Sequence, residues 1–251
     1  MVQIDKLKEI VNNKPVLILL HGASIGKLED KIFDLKDIDI CYASLNNFRV
    51  VEPIIEKIGK QLSVVLDCTK VPNTQAFNEQ LRIPRLDEFL KRKDNNMWVT
   101  TKKLVYTIMF EICNQKFISR NSDKTFVLDS INFDVGRVPN SSVILVGILA
   151  IAGAKKIVIC GFDGHKPGVP NIETYYKYEL QIYSKTLAGD LDVSNFWAES
   201  KRIQDEASIF ISDYCNQFKI DIPEIVLCSE NTTYTMYPRI NYGQLKHFLI
   251  K

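Results

Sequence analysis

Charge of one sign is the first thing this chain lacks: 32 Lys and Arg stand against 30 Asp and Glu, a net +2 with a pI near 8.1. A nucleic-acid surface needs a concentrated basic footprint, so no nucleic-acid partner is expected. The six cysteines, at positions 41, 68, 113, 160, 215 and 228, include no Cys-x-x-Cys pair. That argues against a structural zinc site and for a reduced, cytoplasmic chain. Long hydrophobic runs are missing too. Residues 1–13 alternate charged and apolar side chains without a signal core, and no stretch reaches the roughly 20 apolar residues that cross a bilayer. Only peripheral attachment to a membrane is left open. Repeats, low-complexity tracts and linkers are also absent, so residues 1–251 read as a single domain. With 46% hydrophobic and 25% charged residues, the composition is that of an ordinary globular protein.

What is present centres on residues 140–165. Asn140, Ser141 and Ser142 lead into Val143–Ala152, apolar on every side, which predicts a helix buried between layers rather than an amphipathic surface helix. The two serines offer capping hydroxyls, and Gly153 supplies the stop. Ile157–Cys160 is a four-residue apolar run, expected of a strand covered on both faces in a parallel sheet. The chain then breaks at Gly161 and presents Phe162, Asp163, Gly164 and His165 at the strand's carboxyl end, where open α/β sheets bind ligands.

The rest of the chain alternates in the same way. An amphipathic helix over 3–12 precedes an apolar strand, Pro15–Leu20, that ends in His21-Gly22-Ala23-Ser24-Ile25-Gly26. Strand, small-residue turn and helical start is an arrangement that aims backbone N–H groups at an anion. It is neither Gly-x-Gly-x-x-Gly nor a P-loop, since Leu28 follows Gly26-Lys27, and a plain tight turn explains it equally well. Strands are expected at Ile38–Tyr42, followed by a turn from Ala43 to Asn47, and at Leu62–Leu66, ending at Asp67. A surface helix is expected within 70–95, a strand at Met97–Thr100, a helix at 102–112, and irregular chain over 118–136. A helix over 195–218, a strand at Glu224–Cys228 and a small C-terminal helix complete the reading. Alternation of this kind implies a mostly parallel sheet with right-handed crossovers: a Rossmann-like three-layer α/β/α fold. All strand carboxyl ends then share one edge, where 21–26, 44–47, Asp67 and 161–165 converge. Residues 166–195, loop-like and holding Tyr175 and Tyr176, read as a lid.

These turns resemble those of the bacterial sialyltransferases of the Campylobacter type. Asn140-Ser141-Ser142-Val143, the buried helix and Gly161-Phe162-Asp163 are similar to that family's Thr-Ser-Gly turn, buried helix and Gly-Ile-Asp turn, at the same spacing. His21–Ile25 resembles its first-strand Gly-x-Gly-Pro-Ser-Leu turn. The layout is shared with the 6-hydroxymethylpterin diphosphokinase MptE-like family and the motility accessory factor flagellin glycosyltransferases, and the ending Cys228–Ile240 looks like that wider group. The resemblance covers most of the chain as architecture and three turns as motif. It implies a glycosyltransferase taking a nucleotide-sugar donor, CMP-activated, to a glycan acceptor. It further implies nucleotide contacts at Gly22, Ala23, Ser24, Asn140, Ser141, Ser142, Gly161 and Asp163. Ser44 and Asn46 correspond to an asparagine after the second strand, and Asp67 stands for a neutral asparagine after the third. His165 corresponds to the first of two phosphate-holding tyrosines, with Tyr175 and Tyr176 near the second. Glu199-Ser200-Lys201 replaces a His-Ser-Lys stretch that carries the family's catalytic histidine.

A buried glutamate with a raised pKa can accept a proton from a hydroxyl, which fits Glu199 as a base; an acid near a helix start is also stabilised by the dipole alone. His165 can donate to a leaving phosphate or cap a turn, and Asp163 can receive hydrogen bonds from a ribose or from backbone. The Asp-x-Asp pairs 37/39 and 190/192 fall on the wrong edge and in the lid, so no metal site is expected. A monophosphate leaving group needs less charge neutralisation than a diphosphate. ATP and Mg²⁺ would be required only by the diphosphokinase alternative. A non-catalytic nucleotide-binding protein is the third reading.

Overall fold

A computed structural model describes residues 2–11, 13–45, 48–66, 83–92, 96–100, 122–127, 141–163, 193–229 and 232–251. Its centre is an eight-stranded sheet. The strands are β1 (Pro15–Leu19), β2 (Cys41–Leu45), β3 (Val64–Leu66), β4 (Met97–Thr100), β5 (Thr125–Val127), β6 (Lys156–Cys160), β7 (Glu224–Cys228) and β8 (Arg239–Ile240). They run in the order β5-β4-β3-β2-β1-β6-β7-β8, and every pairing is parallel.

The strands are apolar on both faces because both faces are covered. Alternate side chains of one strand enter different cores, as the two-residue period of a strand requires. Val16, Ile18, Ile157, Ile159, Ile225 and Leu227 face one core. Leu17, Leu19, Val158, Cys160, Val226 and Cys228 face the other. The first core is roofed by α1 (Val2–Val11), α5 (Ser141–Ile151) and α6 (Val193–Phe218). Over the second lie α2 (Leu28–Lys31), α3 (Glu52–Glu56), α4 (Ile83–Lys91) and α7 (Leu245–Ile250). Ten consecutive residues of α5, Ser142 to Ile151, are buried, so the uniformly apolar helix sits between sheet and α6 as its composition demands. Each fully buried Leu, Ile or Val contributes roughly 1.5–3 kcal/mol relative to exposure.

The layering fixes where the sheet changes direction. The connections from β1 outward to β4 carry their described helices on the second core, whereas the returns through α5 and α6 lie on the first. β1 and β6 are therefore neighbours whose connections leave in opposite directions. The crevice beyond their carboxyl ends is the topological switch point, the usual ligand site of such sheets.

Several boundaries differ from the sequence reading. β2 begins at Cys41 and runs to Leu45, so Ser44 lies inside the strand rather than in the following turn. Polar Ser44 is accommodated in a wholly buried strand because its hydroxyl donates to the Leu19 carbonyl at 2.7 Å. The segment expected to be irregular contains β5, three residues long with Phe126 buried, and β8 is a two-residue strand paired at the edge. Both are too short to leave a period in the sequence. Ser141 and Ser142 belong to the first turn of α5.

Candidate functional site

Two turns at the switch point are built against one another. The ladder between β1 and β6 continues past the strand ends: the Leu20 N–H donates to the Cys160 carbonyl at 2.9 Å, and the Gly22 N–H to the Gly161 carbonyl at 2.9 Å. Both glycines are required, for different reasons. Gly22 has an ordinary extended backbone, φ −64° and ψ 151°, but a Cβ there would meet Gly161 O at 2.5 Å and Asp163 Cγ at 2.6 Å. Gly161 adopts φ +71°, a left-handed conformation natural to glycine, and its missing Cβ leaves room for the Leu20 carbonyl.

Asp163 is the hub. Its carboxylate accepts the Ser24 N–H at 2.8 Å and the hydroxyls of Ser24 and Ser229, and those two hydroxyl oxygens lie 2.8 Å apart. Ser24 and Ser229 are buried, at 3% and 1% exposure, so these hydrogen bonds are shielded from competing water. The Asp163 carbonyl accepts the Thr233 N–H at 2.9 Å. Next to it, Phe162 and Tyr234 stack with ring centroids 4.1 Å apart and planes 6° from parallel. The chain after β7 thus folds back over the turn after β6 and holds it by carboxylate, carbonyl and ring. Asp163 receives hydrogen bonds from backbone, one of its two expected roles.

His21, at the start of the first turn, has its Nε2 enclosed. Burial lowers its pKa from 6.5 to about 4, because the cation cannot be hydrated there. Ser141 begins α5 and is only partly buried, whereas Ser142 is buried. Because α5 precedes β6, its start lies toward the carboxyl edge, where orphan N–H groups and the helix dipole favour an anion.

Of the residues picked from the sequence, the structure brings Gly22, Ala23, Ser24, Gly161 and Asp163 together at one point. Ser44 lies one strand away, its hydroxyl held inside the sheet. Glu199 falls in the second turn of α6. Asn46, Asp67, Asn140, His165, Tyr175 and Tyr176 lie outside the described residues, as does the expected lid up to residue 192; its last three residues open α6. Sequence reasoning missed Ser229, Thr233 and Tyr234. Ser229 had a signal, since it directly follows a strand whose carboxyl end belongs on the same edge. Among the described residues no group of three His, Cys, Asp or Glu is placed to hold a metal ion, and no helix is long and apolar enough to cross a membrane.

No protein-family model, curated protein or solved structure matches the chain. The switch-point geometry and the turn motifs are what bear on its chemistry.

Proposed function

We propose that the chain is a transferase that moves a glycosyl group from a nucleotide sugar, of the CMP-activated class, to a glycan acceptor. One observation carries the reading. The described residues of the motifs that resemble those of the sialyltransferases, Gly22–Ser24, Ser141–Ser142 and Gly161–Asp163, follow β1, open α5 ahead of β6 and follow β6, the three segments bordering a Rossmann-type switch point. A nucleotide set there meets the start of α5, with Ser141 and Ser142 in its first turn, and a floor made by Gly22 and Gly161.

Within this reading Asp163 is a positioning residue rather than a ribose ligand, since its carboxylate is already engaged by Ser24 and Ser229. His165 follows that turn by two residues and donates to the departing phosphate. Glu199 acts from α6 as the base that takes the acceptor's proton. The lengths are compatible: 26 residues of α6 at 1.5 Å each span roughly 39 Å, whereas a five-residue strand such as β7 covers only about 17 Å. α6 is therefore longer than the sheet is deep, and this reading assigns the excess, with Glu199, to the carboxyl edge.

The test is a thermal-shift series with CMP and with ATP, each with and without Mg²⁺, followed by donor hydrolysis across a nucleotide-sugar panel. CMP should stabilise the fold without Mg²⁺, and a CMP-linked sugar should be cleaved. Stabilisation by ATP and Mg²⁺ alone would replace the reading with pyrophosphoryl transfer. Binding without cleavage of any donor would leave a nucleotide-binding protein. His165→Ala should slow donor cleavage, and Glu199→Gln should spare CMP affinity while cutting transfer by roughly 10²–10⁴-fold.

A further inference from the structure

Beneath the Asp163 hub lie two cysteines that the proposed transfer reaction does not use. Cys160 ends β6 and Cys228 ends β7, and they are partners in the parallel register. Both side chains enter the second core, both are fully buried, and both are free thiols. Adjacent strands run about 4.8 Å apart, inside the roughly 4.4–6.8 Å Cα separation that a disulfide spans. As register partners whose side chains enter the same core, the two thiols lie on one side of the sheet as neighbours.

Their positions give the pair leverage. Gly161, which follows Cys160, accepts the Gly22 N–H. Ser229, which follows Cys228, donates to Asp163. We propose that Cys160 and Cys228 are an oxidation-sensitive thiol pair whose closure to a disulfide imposes that bond's fixed dihedral geometry on the ends of β6 and β7 and loosens the hydrogen bonds around Asp163.

With hydrogen peroxide as oxidant the chemistry balances. One cysteine, deprotonated, attacks a peroxide oxygen; the O–O bond breaks, hydroxide leaves, and it collects the proton to become water. The resulting sulfenic acid is attacked by the second sulfur, the Sγ–Sγ bond forms, and the sulfenic oxygen leaves as a second water with the remaining proton. Two thiols lose two electrons in total and one peroxide gains them. Burial, with the neighbouring thiol second, holds the Cys160 pKa well above its ordinary value. Reaction therefore waits for local opening of the strand ends or for a high oxidant load, which makes the pair a threshold device rather than a constitutive crosslink.

The experiment uses the full chain treated with graded hydrogen peroxide, quenched, blocked with N-ethylmaleimide, and digested without reductant. A peptide joining Cys160 to Cys228 should be the first linkage to form and should vanish with dithiothreitol. In the oxidised protein, hydrogen exchange at the Ser24 and Thr233 amides should quicken by tenfold or more, and the same peroxide dose should leave both amides unchanged in Cys228→Ala. Absence of that linked peptide when other cysteines have oxidised would overturn the pair. A linked peptide with unaltered exchange at both amides would overturn its coupling to the Asp163 hub. Neither outcome depends on the variant folding.

Discussion

The carboxylate of Asp163 takes the backbone N–H of Ser24 at 2.8 Å, joining two turns 139 residues apart in the chain. With the Ser24 and Ser229 hydroxyls on the same carboxylate, three segments after β1, β6 and β7 become one unit. The carboxylate thus sets how these segments lie against one another at the sheet edge.

Asp163→Ala would strand the Ser24 amide and two buried hydroxyls at once. Losing charge-assisted hydrogen bonds of this kind costs about 2–4 kcal/mol, so the urea midpoint should fall clearly. Asp163→Asn keeps one acceptor oxygen and should lose less. Equal stability of Asp163→Ala and the parent in urea would show that the hub contributes nothing to the fold.

Gly22→Ala tests the fit between the turns. Its Cβ would lie 2.5 Å from a carbonyl oxygen and 2.6 Å from the Asp163 carboxyl carbon, and backbone has to shift to relieve this. The expected destabilisation is about 1–3 kcal/mol, accompanied by faster exchange at the Ser24 amide as the turns separate. A variant with parental exchange there would mean the turns are not held by this contact.

His21 predicts a pH dependence with a definite sign. Its folded pKa, about 4, lies below the unfolded value of 6.5 because the enclosed imidazolium is poorly hydrated. Above pH 6.5 the ring is neutral in both states and stability is full. As pH falls from 6.5 toward 4 the unfolded chain takes up the proton first, and stability declines; below about 4 this contribution levels off. The loss is roughly 3 kcal/mol at most. His21→Gln should flatten the decline in urea midpoint between pH 6.5 and 4.5 relative to the parent.

Glu52 predicts a loss in the same direction, at lower pH. At 1% exposure it sits between Arg49, 2.9 Å away, and Arg92, which it meets through both carboxylate oxygens. Burial works to raise its pKa, but the hydrogen bonds from Arg92 and Arg49 outweigh burial and lower it. Its contribution is therefore present above the ordinary glutamate range and lost as pH falls through the lowered value. Glu52→Ala, which leaves two arginines facing one another, should cost about 2–4 kcal/mol at pH 7 and much less at pH 3, as measured by denaturant titration at both values.

The sequence by itself determined the layers. Apolar runs such as Ile157–Cys160 and Pro15–Leu20 read as strands covered on both faces, and the buried α5 as a helix between layers; alternation then implied parallel strands with a shared carboxyl edge. That reading held through β1, β3, β4, β6 and β7. It slipped at β2, where a serine can continue a buried strand by donating to the Leu19 carbonyl, a partner 25 residues away that no local pattern reveals. β5 and β8 were illegible because three and two residues carry no period; their pairing comes from the neighbouring strands. Only tertiary structure decided what Asp163 does. Its partners, Ser24 and Ser229, lie 139 and 66 residues away, and whether a turn carboxylate meets solvent, ligand or its own chain depends on which strand ends the fold sets side by side. The same holds for Cys160 and Cys228. Each reads locally as a small apolar residue, and strand register alone makes them a pair.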